Sequence, residues 1–211
     1  MSTVITKIIV LLGFLVFQTA AQATIVATNT SYGVFDASGG IRVLSVGAHG
    51  TIVDLNVIIT FAKCDDPAIG PDGTACLGAG SSFDREITFL LTGADGTSVR
   101  LVDFFTYTGQ TPGVGRVTIH FDDQADRVVG GSITGGTFRP VDPLAAFIGH
   151  EMFGDYVLSM VDVASEDPLE FFSASLDIVT ADAPPVLVPE PAGLALLGLG
   201  LLGMGFWRIR R

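Results

Sequence analysis

The chain of 211 residues has a formal net charge of −11, and 48% of its residues are hydrophobic. Between the two apolar ends, residues 24–187 hold 7 Lys+Arg against 21 Asp+Glu, a net charge of −14. That balance argues against nucleic acid, polyanionic polysaccharide and anionic lipid as direct partners, since phosphate binding rests on clustered Lys and Arg. The segment is long enough for one domain with a real core.

The chain begins with one positive residue, Lys7, an apolar stretch from Ile8 to Phe17, and Ala21-Gln22-Ala23. A positive flank, an apolar stretch and small residues in that order predict a secretory signal over residues 1–23. Cleavage after Ala23 leaves Thr24 as the mature N-terminus. With a single lysine in the flank, an uncleaved anchor is the alternative. Residues 24–40 are read as a lead-in.

From Thr51 to Phe61, Val53, Leu55, Val57, Ile59 and Phe61 point one way, while Asp54, Asn56 and Thr60 point the other. This period of two predicts a half-buried strand. Similar alternation occurs at Ile87/Phe89/Leu91, Val117/Ile119/Phe121 and Phe172/Ala174/Leu176/Ile178. Turn formers lie between them at Gly93-Ala94-Asp95-Gly96, Pro112-Gly113, Gly130-Gly131 and Gly135-Gly136. No apolar stripe of helical period runs for three turns. The pattern predicts an all-β sandwich or barrel.

Cys64 and Cys76 flank a loop rich in turn formers, and both fall in the exported segment. Oxidising conditions predict a disulfide between them. Without a nearby histidine the pair makes a poor zinc site. His49, His120 and His150 are scattered, and no G-x-S-x-G motif or Ser/His/Asp set stands out. The chain is therefore not expected to be an enzyme. Asp122, Asp123 and Asp126 cluster after one strand, and Asp155 and Asp162 flank another. Hard cations take several carboxylate oxygens, so Asp122, Asp123 and Asp162 form a candidate calcium set. Turn capping by the same acids is the alternative.

After a linker at residues 182–187, Val188-Pro189-Glu190-Pro191 leads into an apolar run from Ala192 to Trp207, closed by Arg208, Ile209, Arg210 and Arg211. As a helix, 192–207 spans roughly 24 Å. A hydrocarbon core is about 30 Å thick, so thinning or snorkelling has to close the gap. No two of its glycines stand four apart, and a GxxxG seam is not supported.

This tail, residues 188–211, resembles the PEP-CTERM sorting signal of Gram-negative bacteria that build extracellular polysaccharide. The resemblance implies recognition and removal of the tail by an exosortase. Val188, Pro189, Glu190, Pro191, Arg208, Arg210 and Arg211 would be features read by that enzyme. It also implies transient contact with the secretion machinery and the inner membrane, then residence at the cell surface or in the extracellular matrix.

The middle segment, 41–181, resembles the P domain (P/Homo B domain) found beside the catalytic domain of kexin- and furin-like convertases. The matching stretches are Thr51 to Val57, Asp84 to Leu91 with Asp95 to Leu101, Phe121-Asp122-Asp123-Gln124-Ala125, Phe138-Arg139-Pro140 with Pro143 to Gly149, and Gly154 to Asp162. Tyr156 stands where that family usually has tryptophan, Phe171-Phe172 occupies another such place, and the cysteine-bounded loop looks like an insertion. The resemblance implies a jelly-roll-like antiparallel β-sandwich and adds weight to Ca2+ as a ligand. Because the P-like segment takes up almost the whole mature chain, no subtilisin-like catalytic domain is expected in it. The expected function is that of a non-catalytic surface or exopolysaccharide-matrix protein, whose partner is a surface protein, a protease or exopolysaccharide. The alternative is a carbohydrate-binding, lectin-like sandwich.

Overall fold

The computed structural model describes residues 24–109 and 113–181. The signal segment with Ala21 and Ala23, the linker 182–187 and the sorting segment 188–211 with its apolar run 192–207 lie outside the described residues.

Short alternating segments separated by Gly, Asp and Pro form strands here because each can bury only one face. Among the described residues these are β1 (Thr24–Asn29), β2 (Gly33–Phe35), β3 (Ser38–Val46), β4 (Ile52–Lys63), β5 (Ile87–Thr92), β6 (Ser98–Val102), β7 (Val114–Phe121), β8 (Gly136–Phe138), β9 (Gly154–Asp162) and β10 (Leu169–Thr180). Two 3₁₀ turns, Asp84–Glu86 and Leu144–Phe147, complete the regular elements. No helix among the described residues is long and apolar enough to cross a membrane. Residues 24–40, the expected lead-in, supply β1, β2 and the first residues of β3.

The strands form a sandwich of two sheets. One has the order β1-β10-β4-β7-β8, with β2 also on β10; the other has the order β3-β9-β5-β6. Pairing is antiparallel except for the three-residue edge pair β7–β8, which is parallel. Leu55, Val57, Ile59 and Phe61 of β4 are buried, as are Ile87, Phe89 and Leu91 of β5. Phe61 and Phe89 meet edge to face with ring centroids 5.1 Å apart, tying one sheet to the other.

Two bulges shift the expected faces. Ile52 pairs with Thr180 but Asp54 pairs with Val179. Val53 is the extra residue of that bulge and turns outward, leaving Ile52 in the core. A second shift between Phe171 and Ser173 splits the two phenylalanines. Phe171 enters the main core, whereas Phe172 packs outside it with Ala62, Cys64 and Ile69. A simple period of two cannot show such insertions, which explains why Val53 and Phe172 were expected to face inward.

Candidate functional site

The inward rows of β4 and β9 both end on a charge. Lys63 follows Phe61 on the buried face of β4, and Asp162 follows Met160 on that of β9. Both are fully buried. Lys63 Nζ donates to Glu86 Oε1 at 2.5 Å, to Asp162 Oδ2 at 2.9 Å and to the Asp167 carbonyl. The Leu169 amide donates to Asp162 Oδ2 at 3.0 Å. Burial pushes the Asp162 carboxyl up to about 6, and the nearby Lys63 ammonium offsets only part of that rise. Sequence reasoning missed Lys63, although the β4 alternation places it on the inward face.

Beside this network lies a small cleft lined by Phe83, Asp84, Arg85, Phe105, Thr108 and Gly109, with a volume of about 80 Å³. Asp84 is buried, and its Oδ1 accepts a hydrogen bond from the Ser82 hydroxyl at 2.9 Å. Its Oδ2 has no hydrogen-bond partner among the described residues, and neither has the buried Tyr107 hydroxyl. Burial raises the Asp84 pKa, an effect that Ser82, the Ile133 backbone and Lys63 partly offset. Tyr107 is pushed above its ordinary value by burial and then by the Asp84 charge, so it stays neutral. Phe105 adopts a left-handed backbone (φ 61°), uncommon for a bulky residue, and its N–H donates to the Arg85 carbonyl at 3.0 Å.

The expected disulfide is present between Cys64 and Cys76. Its loop is held a second time by buried Glu170, which accepts from the Ile69 amide (2.6 Å), the Gly70 amide (2.9 Å) and the Tyr32 hydroxyl (2.6 Å).

The candidate calcium ligands occupy separate places. Asp122 and Asp123 follow β7 in the larger sheet, while Asp162 ends β9 in the smaller one, paired with Lys63. Asp122 Oδ1 accepts from the Gln124 amide at 2.7 Å, an Asx-type turn. Asp123 accepts from the Leu144 and Ala145 amides at 3.0 and 2.7 Å, capping the second 3₁₀ turn. No group of three or more His, Cys, Asp or Glu among the described residues is arranged to hold a metal. Asp155 accepts from the Ser45 hydroxyl at 2.6 Å. Of the histidines, His49 stacks on Phe153 and lies 3.4 Å from Glu151, while His150 lies 2.5 Å from Asp95. His120 is exposed on β7.

Residues 187–211 match the PEP-CTERM protein-sorting motif. The motif supports an exported protein that is sorted by an exosortase after a C-terminal membrane-anchoring step. No curated protein matches the chain. Among solved structures, it is similar to the serine protease of Aeromonas sobria in complex with its chaperone ORF2, at 12% identity, covering 75% of this chain and 28% of that one, TM-score 0.37. A crystal structure of the serine protease of Aeromonas sobria gives 13% identity, coverage of 74% and 27%, and TM-score 0.37. PfGH50B gives 14% identity, coverage of 75% and 24%, and TM-score 0.34. The chain spans about a quarter of the length of these structures.

Proposed function

We propose that the chain is a non-catalytic protein of the cell surface or exopolysaccharide matrix of a Gram-negative bacterium. An exosortase removes its tail, and a P-domain-like sandwich serves as its interaction module. The match of residues 187–211 to the sorting motif carries the route. The ordered stretches from Thr51 to Asp162, including Phe121-Asp122-Asp123-Gln124-Ala125, support the module. Its partner is a surface protein, a protease or exopolysaccharide; the domain's acidity disfavours polyanionic ones.

C-terminal peptide mapping of the protein recovered from cell-surface and extracellular fractions tests the route. The expected mature protein lacks the arginines at 208, 210 and 211, and the full chain accumulates in membranes when exosortase activity is removed. A surface protein that retains Arg211 overturns the processing step. Affinity capture with the recovered protein tests the module. Failure to retain any surface protein or glycan overturns the interaction role and leaves sorting intact.

A further inference from the structure

We propose that the cleft at Asp84 receives one basic side chain, a lysine or arginine end, presented by a partner protein. The inference rests on the interaction reading above and names the chemistry of its contact.

Asp84 is 1% exposed and lines the cleft, yet its Oδ2 meets no donor among the described residues. A buried carboxylate oxygen without a donor is unfavourable, and a cation placed against it restores what was lost. Lys63 does not fill this role, because its ammonium is taken by Glu86, Asp162 and the Asp167 carbonyl. Arg85 also lines the cleft but is exposed, with its guanidinium carbon 5.5 Å from the Phe83 ring centroid. It opposes an incoming cation, so the preference for one rests on the unpartnered Asp84 oxygen and on the acidity of the domain, not on a surplus of acids lining the cleft. The domain as a whole carries 7 Lys+Arg against 21 Asp+Glu, so its field draws basic partners over distance.

Size decides between ligand classes. About 80 Å³ is well below the roughly 300 Å³ of small-molecule pockets, and a water's share of liquid is about 30 Å³. The cleft therefore suits the end of one side chain rather than a sugar ring. Its walls suit the same guest. Phe83 and Phe105 are 44% and 67% exposed, and aromatic faces attract ammonium and guanidinium groups.

The test is a titration of the isotope-labelled full chain in detergent, followed by amide NMR at fixed ionic strength. The probes are n-butylammonium, n-butanol and glucose. Saturable shifts at Thr108 and Gly109 are expected with n-butylammonium alone. Asp84→Asn is expected to weaken binding at least tenfold with amide dispersion retained. Phe105→Asn, which accepts the left-handed backbone, is expected to weaken it about threefold and stands by itself if the first variant does not fold. Absence of saturable shifts, equal shifts with n-butanol or glucose, or unchanged binding in the folded variants overturns the proposal. A captured partner whose affinity is the same for wild type and Asp84→Asn also overturns it while leaving the interaction reading in place.

Discussion

Lys63 and Asp162 lie 2.9 Å apart, both without solvent exposure, and join the two sheets at one end of the sandwich. Removing one partner of a buried pair leaves the other charge uncompensated. Here Lys63→Met would strand two carboxylates, Glu86 and Asp162, and free the Asp167 carbonyl. The expected loss is about 3–5 kcal/mol in denaturant unfolding at pH 7. A loss under about 1 kcal/mol would mean that solvent already reaches the network.

The pH dependence of that network has a definite sign. In the folded chain Asp162 titrates near 6, against 3.8 ordinarily. Folding therefore favours its protonated form. Its contribution to stability is highest below about pH 4, falls as the pH rises towards 6, and is flat above. The fall is on the order of 3 kcal/mol at most. Subtracting the unfolding free energy of Asp162→Asn from that of wild type cancels the other carboxylates. The difference should decline between pH 4 and 6; a rise across that window contradicts burial as the dominant influence on Asp162.

The strands were legible because one face of each is buried. Leu55 to Phe61, Ile87 to Leu91 and Val117 to Phe121 keep their period through the fold, and the two cysteines pair as their compartment suggests. The bulges at Val53 and Phe172 were not legible, since an inserted residue leaves composition unchanged and only alters phase. The charge network was half legible. Continuing the β4 alternation two residues past Phe61 reaches Lys63, and continuing that of β9 past Met160 reaches Asp162. An inward lysine and an inward aspartate on different strands imply each other, because neither is tolerated alone. Grouping Asp162 with Asp122 and Asp123 as calcium ligands followed their chemistry without the register, which sets Asp162 beside Lys63 near the Val114 end of β7 and Asp122 past its Phe121 end. The Asp84 cleft depends on the path of the 103–109 loop, which no periodicity encodes.

Asp123 accepts from two successive backbone amides, so its role is open to a direct measurement. Asp123→Ala frees the Leu144 and Ala145 N–H groups and should cost about 1–2 kcal/mol, as loss of a cap does. Asp122 and Asp123 already serve backbone amides, and no group of three or more acids among the described residues is placed to supply the roughly six to eight oxygens calcium takes. Millimolar calcium added after chelation is thus expected to leave Tm unchanged in wild type and variant alike. A calcium-dependent rise in Tm that Asp123→Ala abolishes would reinstate the acids as ligands, since a site restricted to the folded state stabilises by mass action.

The loop between Cys64 and Cys76 is anchored twice, and the anchors should be coupled. The disulfide closes a separation of 12 residues, for which chain entropy gives about 3 kcal/mol. Glu170 faces three donors, Ile69 N–H, Gly70 N–H and the Tyr32 hydroxyl. A glutamine there turns an amide donor toward donors, so Glu170→Gln should cost roughly 1.5–3 kcal/mol and Tyr32→Phe about 1 kcal/mol. In a Cys64→Ala/Cys76→Ala background the loop must be ordered from a larger ensemble before Glu170 can grip it. The Glu170→Gln loss should then shrink by at least 0.5 kcal/mol relative to the disulfide-bonded chain. Limited proteolysis gives the local reading, with cleavage between residues 65 and 75 rising steeply only when both anchors are cut. Additive losses with uniform protection of the loop would show that disulfide and carboxylate act on separate parts of the chain.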